Sequence, residues 1–547
     1  MKKQTRSHLP VSRQLAVDIW VTFVGRQCSG RNRHQPSYHF HRKWELNMRY
    51  ILANLIMPVL CCVLSIKVVD AEPLKIAKDA RQLFLDDQVV QRIEGLRRIT
   101  NQATKSPNNP VVRREHPWEQ FRAMIYGTVL YDEQDQLFKM WYTCMPHNNT
   151  QPAVKINGEN RVPWVTLIAY ATSTDGVHWN KPTLAQLDFN GTKHNNLVDV
   201  GRDNVEGIAI LPNQHSVDPA RRWLAFFWEH RSFRADDYEV PPYENPTDGD
   251  WDAGMWVAYS PDGLHWTNHG RVISGGSDTH QTVVYDPDLQ KYVCFNRLGA
   301  GGRKIGRCDS KDFLNWSDAK RVFQGDEQDR PRTQVYGMSV VVYEGVYVGL
   351  PWLFYPDGVI DIKLAFSRDG HQWQRPEDRS QVIVTGNAVS WDAADFRMGN
   401  SIVVRDDKIF IYYCAAAGGH PTGDVVAKID KYSHEYHQKY RSMHIGLATL
   451  RRDGWVSLDA GPQPGKVVTR LLRWPGGKLH VNVDAEEGEL QVVVRDASGT
   501  AVAASPPIVG DFLEKPVNLD GDALPLDEPV TLEFQLKSGK LFSFWWE

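Results

Sequence analysis

Cysteine is scarce in this chain and carries no motif. There are seven in 547 residues, and four of them, Cys144, Cys294, Cys308 and Cys414, lie beyond residue 71 with no CxxC pair among them. Three of the four sit in strand-like strings (WYTC, YVCF, IYYC) and read as small buried apolar side chains. If all four paired, three pairings would be open, and the spacing selects none. No phosphate loop, nucleophile elbow or dinucleotide fingerprint occurs. The nearest approach to a metal motif, His434-Glu435-Tyr436-His437, sets its histidines three apart where a zinc-binding HExxH helix needs four. No metal and no cofactor is therefore expected. No segment of convincing length has helical periodicity. A basic surface is missing as well: residues 1–71 hold 11 Lys/Arg against 3 Asp/Glu, leaving 52 against 63, a net of −11, for residues 72–547. An acidic body offers no footprint for nucleic acid. It suits a soluble protein that handles neutral or cationic molecules.

Aromatic residues, by contrast, are plentiful, with 19 Trp, 20 Tyr and 20 Phe. They favour strands and also make platforms for sugar faces. The length implies more than one domain. Near the start, residues 50–66 (YILANLIMPVLCCVLSI) form an uncharged run after Arg49 and before Val69-Asp70-Ala71. That is the layout of a signal peptide over 48–71 with Met48 as its natural start, which implies export to the periplasm or beyond. Residues 1–47 are basic and patternless and read as an upstream extension outside the native product. The rival reading is an uncleaved anchor over 50–69, the only way this chain would meet a membrane.

A repeat runs along the rest. Its best copies are Ser173-Thr-Asp175-Gly176-Val-His-Trp179, Ser260-Pro-Asp262-Gly263-Leu-His-Trp266 and Ser367-Arg-Asp369-Gly370-His-Gln-Trp373. Looser ones are Ser310-Lys-Asp312-Phe-Leu-Asn-Trp316 and Arg452-Asp453-Gly454-Trp455. Each follows a short apolar strand (IAYAT, WVAYS, IGRCD, KLAFS, IGLAT). The Asp side chain caps a tight turn and the Trp folds back over it, so these Asp residues read as structural. Before each copy lies a two-strand string, at 124–144, 207–228, 282–296, 338–352 and 401–415. Five four-stranded units repeated about an axis make a β-propeller over 72–461. Residues 72–117 read as mostly irregular, wrapping the ring and helping to close it. After Gly461, short alternating strands separated by PGG, EEG and KSG turns signal a β-sandwich over 462–547. The expected class is all-β, a five-bladed β-propeller followed by a β-sandwich.

That order resembles glycoside hydrolase family 32 and its propeller relatives in family 43. The tail, Gly510-Asp511 followed by PVTLEFQL and KLFSFWW, looks like the sandwich end of that type. The opening LFLDDQVV…NNPVV…PWE looks like a group of exported propeller proteins from polysaccharide-degrading bacteria. The resemblance covers about residues 80–547 and implies a glycosidase with a carbohydrate substrate. The family 32 nucleophile string Trp-Met-Asn-Asp-Pro-Asn-Gly and its Glu-Cys string are missing, and only Arg202-Asp203-Asn204 echoes the middle Arg-Asp-Pro motif, so a fructan substrate is not implied.

In a propeller, polar residues at the starts of the innermost strands point into the central cavity, and glycoside hydrolysis needs two carboxyls across it. Unit by unit, this selects Glu119 as nucleophile or base, Asp203 as stabiliser with Glu206 as its alternate, and Asp278 as acid. Arg122, Tyr126, His280, Tyr336, Trp391 and Arg397 are the candidate substrate-binding residues. His280 would partner a sugar hydroxyl, Trp391 would stack on a ring, and Arg397 would anchor a hydroxyl or carboxylate. The polar insertion 418–440 would overhang one face as a lid or subsite wall. Two other readings stay open. The Ser-x-Asp-Gly-x-x-Trp turns and Phe121-Arg122 resemble sialidases, which implies Arg122, Arg297 and Arg397 gripping a carboxylate. The missing family motifs also fit a propeller that binds carbohydrate without cleaving it. Nothing in the sequence speaks to oligomeric state.

Overall fold

The computed structural model describes residues 72–547 apart from 147–153, 162–164, 203, 215, 230–252, 275–279, 300, 421–440 and 522–525. The expected leader over 48–71 and the extension over 1–47 lie outside the described residues, as does most of the 418–440 insertion. The described residues are all-β, interrupted only by two three-residue turns of 3-10 helix, Pro117–Glu119 and Pro219–Arg221. Among them no helix is long and apolar enough to cross a membrane.

Among the described residues five meanders follow one another, the first three as separate four-stranded antiparallel sheets and the last two joined in one ten-stranded sheet by a parallel bridge between Ile360 and Asp395. The first comprises Arg122–Asp132, Leu137–Met145, Leu167–Ser173 and Leu197–Val198. The second comprises Val205–Pro212, Trp223–Glu229, Gly254–Ser260 and Thr267–Ser274, and the third Gln281–Asp286, Lys291–Leu298, Lys304–Ser310 and Lys320–Phe323. In the fourth, Gln334–Tyr343 pairs with Val346–Phe354, which carries Ile360–Lys363 and Ala365–Ser367, with Gln381–Ile383 outermost. The fifth is Asp395–Met398 with Val403–Arg405, then Lys408–Ala416 and His444–Arg451, and its outer strand is Thr104–Lys105 from the other end of the chain. The middle strands are buried on both faces, as the apolar run from Trp223 to Trp228 in the strand Trp223–Glu229 requires, whereas the outer strand Thr267–Ser274 is polar and half exposed.

Packing runs in a ring. Arg122–Asp132 lies against Val205–Pro212, that strand against Gln281–Asp286, that against Gln334–Tyr343, and Asp395–Met398 against Arg122–Asp132. The repeated turns are the clasps. In the second, Asp262 Oδ1 accepts from the Leu264 and His265 amides at 2.9 and 2.8 Å, and Trp266 Nε1 donates back to the Gly263 carbonyl at 3.0 Å. That same carbonyl takes the Trp141 indole of the first meander at 2.7 Å. Trp316 meets Phe226 (ring centroids 5.0 Å), Trp373 meets Phe295 (5.7 Å), Trp455 meets Tyr343 (6.1 Å) and Trp179 meets Tyr412 (5.7 Å). Each turn thus docks on the preceding meander, and the first docks on the fifth. A buried aromatic side chain contributes ~1.5–3 kcal/mol from area alone.

The remaining strands form a 13-stranded sheet whose spine is the 18-residue strand Leu479–Asp496, flanked by Pro529–Lys537 and Gly539–Trp546. Its core gathers Phe84, Trp474, Phe534, Phe544 and Trp546. Residues 72–117 are more ordered than the sequence reading has them. Leu74–Lys75, Gln82–Leu83, Val90–Glu94 and Leu96–Thr100 all join this C-terminal sheet, as does Val456–Ala460. The reason is pairing: the Val90–Glu94 and Leu96–Thr100 segments satisfy their backbone groups on strands more than 350 residues away, which no local pattern reveals. Buried Asp453 ties the parts together, accepting from Arg81 Nη1 (3.0 Å), the Tyr343 hydroxyl (2.7 Å) and Ser543 Oγ (2.6 Å).

Candidate functional site

The first strands of the first, second and fourth meanders each break register, between Met124 and Thr128, between Glu206 and Ala209, and between Val335 and Gly337. Bulges bend a strand and re-aim side chains, and here each lies beside one polar or aromatic residue followed by glycine: Tyr126-Gly127, Glu206-Gly207 and Tyr336-Gly337. The glycines are required. Gly207 sits at φ +67°, and a Cβ at Gly127 would stand 1.9 Å from the Trp141 carbonyl oxygen.

These residues converge with His280, at the head of the third meander, and Arg397, in the first strand of the fifth. Arg397 Nη1 donates to the Tyr126 hydroxyl at 2.9 Å, and its guanidinium carbon lies 4.9 Å from the centre of the Tyr336 ring. The Tyr126 ring lies 5.7 Å from His280 and 5.5 Å from Trp352, and His280 lies 4.5 Å from Trp352. Arg297 covers the Tyr336 ring at 4.8 Å, with Arg303 at 5.4 Å. The Tyr336 hydroxyl bonds His420 Nε2 at 3.1 Å, and Glu206 is near enough for its charge to act on that phenol.

Electrostatics follow from this packing. Burial works to raise the Tyr336 phenol, but the Arg397 and Arg297 guanidiniums outweigh it and bring the pKa below the ordinary phenol value. Burial alone pushes the His280 imidazole down to about 3, so it is neutral. Its Nε2 faces Thr282 Oγ1 at 3.1 Å, while its buried Nδ1 has no hydrogen-bond partner among the described residues. Arg397 keeps its charge despite burial because Asp395 holds it through two bonds, Nε–Oδ1 and Nη2–Oδ2, both 2.8 Å. Among the described residues no group of three His, Cys, Asp or Glu is arranged to hold a metal ion.

Of the residues chosen from sequence, Arg122, Tyr126, Glu206, His280, Tyr336 and Arg397 fall in this cluster. Asp203 and Asp278 lie outside the described residues. Glu119 does not fit a catalytic role. It is 0 % exposed and saturated with donors: the Tyr142 hydroxyl, Lys181 Nζ at 2.9 Å, and the Glu115 and His116 amides at 2.9 and 3.2 Å. The 3-10 turn Pro117–Glu119 folds the carboxylate back onto its own amides, so it caps the turn that leads into Arg122. Trp391 is not brought into the cluster either. It stacks on Tyr413 at 5.8 Å and 15° and meets His444 edge-on at 6.0 Å, packed against the core as its apolar surface demands. Sequence reasoning missed Trp352, Asp395, His420 and Arg441, whose carbonyl accepts from Arg122 Nε at 3.4 Å. The recurring residue-Gly pair at one register in the first strands was the signal that marks this end of the ring.

No family model matches the chain, and no curated protein matches it. Solved structures do resemble it. An N-acetylgalactosamine deacetylase from F. plautii, in complex with blood group B trisaccharide, is 14 % identical with a TM-score of 0.42, covering 65 % of this chain and 96 % of that one. A β-1,2-mannobiose phosphorylase from Listeria innocua is 11 % identical at TM-score 0.42, with 64 % and 96 % covered. A glycoside hydrolase family 43 arabinoxylan arabinofuranohydrolase from Bacillus subtilis is 10 % identical at TM-score 0.37, with 82 % and 99 % covered.

Proposed function

We propose that this protein is an exported glycan-acting hydrolase, its five meanders the blades of a propeller and its C-terminal sheet a β-sandwich, with the substrate received where the first strands begin. One observation carries the reading: Tyr126, Glu206, His280, Tyr336 and Arg397, one residue from each of five meanders, meet at one end of the ring. A structural ring has no need to aim five polar or aromatic groups at one point by bulging three strands.

Glycosidic cleavage needs a group that moves a proton and a group that stabilises the positive charge developing at the anomeric carbon. In this reading Glu206 moves the proton. Tyr336, made more acidic by Arg397 and Arg297, presents an electron-rich oxygen to the anomeric centre. Arg397, fixed by Asp395, and neutral His280 orient hydroxyls. Asp203 and Asp278 are the further carboxylates that the sequence assigns to this chemistry.

The test is release of reducing ends from a panel of purified polysaccharides by the full chain. Glu206→Gln and Tyr336→Phe are each expected to lower kcat by about 10²–10⁴ without changing Tm. Binding without sugar release, unaltered by Glu206→Gln, would instead make the chain a carbohydrate-binding propeller.

A further inference from the structure

We infer that Cys294 and Cys308 are the site of a cross-strand disulfide that closes when the chain folds in an oxidising medium, tying together the hairpin that carries Arg297 and Arg303. This does not rest on the hydrolase reading. It adds a covalent modification to the scaffold beneath the candidate site.

The spacing of the cysteines selects no pairing, but the strand register does. Lys291–Leu298 and Lys304–Ser310 pair antiparallel without a bulge from Tyr292↔Ser310 to Leu298↔Lys304, and Cys294 stands directly opposite Cys308. Directly opposite residues share one face of a sheet, with Cα atoms about 4.5 or 5.5 Å apart according to the hydrogen-bonding pattern. Both separations fall within the roughly 4.4–6.8 Å that a disulfide spans. The two thiols already touch, close enough for one to hydrogen-bond the other. They are 0 % and 1 % exposed, in the apolar cluster that also holds Phe226, Met255 and Phe313. Among the described residues the other two cysteines face none across their strands. Cys144 stands opposite Ala123 and Leu167, and Cys414 opposite Arg397 and Ile445.

The step is thiol–disulfide exchange with a small-molecule disulfide such as oxidised glutathione. The thiolate of one cysteine attacks a sulfur of the oxidant and releases one thiol. The second cysteine attacks the mixed disulfide and releases the other. The oxidant's S–S bond breaks and a new one forms in the chain. The chain gives up two electrons, and its two protons leave on the released thiols. In the finished core, burial and then the neighbouring Cys308 thiol hold Cys294 well above its ordinary pKa, and neither sulfur is open to an oxidant. The exchange therefore belongs to folding, before the second and third meanders close over the pair. The loop it closes, about 15 residues long, constrains the unfolded chain. It contains Arg297 and Arg303, whose guanidiniums lie 4.8 and 5.4 Å from the Tyr336 ring. A bond at the base of this hairpin limits how far the two cations can leave that phenol.

The experiment refolds the full chain from urea in a mixture of oxidised and reduced glutathione, alkylates free thiols under denaturing conditions, and maps tryptic peptides without reduction. Where refolding from urea fails, the same map is made on chain expressed into an oxidising compartment. Arg297, Arg303, Lys304 and Arg307 lie between the two cysteines, so the digest separates them unless an S–S bond joins them. The expected result is a Cys294–Cys308 link in most chains, two hydrogens lighter than the separate peptides, with Cys144 and Cys414 alkylated. Folding without oxidant is expected to lower Tm by about 3–6 °C. Cys294→Ser is expected to lose the link and the oxidant dependence of Tm together. If Cys294→Ser does not fold, the peptide map and the oxidant-dependent Tm of the wild type still decide the matter. Alkylation of both cysteines after oxidative folding, a link from either to another cysteine, or a Tm that is the same with and without oxidant overturns the inference.

Discussion

Arg397 reaches back two residues along its own strand to take both oxygens of Asp395 at 2.8 Å, and it spends its remaining arm on the Tyr126 hydroxyl. Both partners are 2 % exposed. Residues i and i+2 share a face of a strand, so the sequence Asp395-Phe396-Arg397 builds a rigid, oriented cation without help from another meander, and Tyr126 of the first meander then locks it.

Breaking that pair strands a buried charge. Asp395→Asn keeps the shape but removes the counter-charge, and is expected to cost about 3–5 kcal/mol, read as a lowered urea midpoint at unchanged m-value. Replacing both, Asp395→Leu with Arg397→Met, is expected to be less destabilising than the single change while abolishing activity. A loss under about 1 kcal/mol for Asp395→Asn would mean that water or another group compensates Arg397.

Glu119 makes the converse case, a carboxylate that looks functional in sequence and acts as scaffold. With Lys181, Tyr142 and two amides around it, Glu119→Gln leaves Lys181 without its buried partner and is expected to lower stability by about 3 kcal/mol. Where the variant is folded, kcat is expected to stay within about threefold of wild type. A folded Glu119→Gln with wild-type Tm and kcat reduced a hundredfold would restore the catalytic assignment.

How far these features were legible depends on how local they are. The meanders and their turns repeat a pattern within each stretch, Ser-x-Asp-Gly-x-x-Trp, whose hydrogen bonds span three residues, so their structural role was readable from Asp175, Asp262 and Asp369 alone. The placement of Tyr126, Glu206, Tyr336 and Arg397 was readable because inner-strand starts converge by topology. The buried pairing of Glu119 was not legible because its partner, Lys181, lies 62 residues away. The stacking of Trp391 on Tyr413 was not legible because stacking on a protein ring or on a sugar asks for the same side chain. The strands of 74–100 were hidden because their partners sit at the far end of the chain.

The turn aspartates give a prediction separable from activity. Burial tends to raise the Asp262 carboxyl, but its bonds from His265, Leu264 and Ser260 prevail and hold it down at about 2. A depressed carboxylate stabilises the fold above its unfolded value near 3.8, and that contribution disappears as pH falls toward 2. The side chain is 45 % exposed, so solvent screening keeps the effect small. Asp262→Ala also deletes two amide partners and is expected to cost about 1–2 kcal/mol at pH 7, with less difference from wild type at pH 2.5. Activity on the preferred glycan is expected to be unchanged at a temperature where both are folded, and a loss of kcat there would show that the turn reaches the site.

Acid sensitivity should also appear well above the carboxylate range. Burial lowers His280 to about 3, and burial followed by the nearby Arg114 charge lowers His444 to about 4. Both imidazoles therefore stay neutral in the fold at pH values where the unfolded chain takes up protons, near 6.5. The unfolded state then binds more protons, so stability falls as pH drops below about 6.5, down to about 4 for His444 and about 3 for His280. Each group contributes a slope of up to about 1.4 kcal/mol per pH unit within its window. Chemical denaturation of wild type between pH 7 and 4.5 is expected to show this decline, and His280→Gln to remove roughly one proton's share of it, about half the slope. The same variant removes a group that faces Tyr126 and Trp352, so its KM is expected to rise at pH 7, where wild-type His280 is already neutral. A stability curve flat from pH 7 to 4.5 would mean that both imidazoles accept protons within the folded chain, and His280 would then serve the site as a cation.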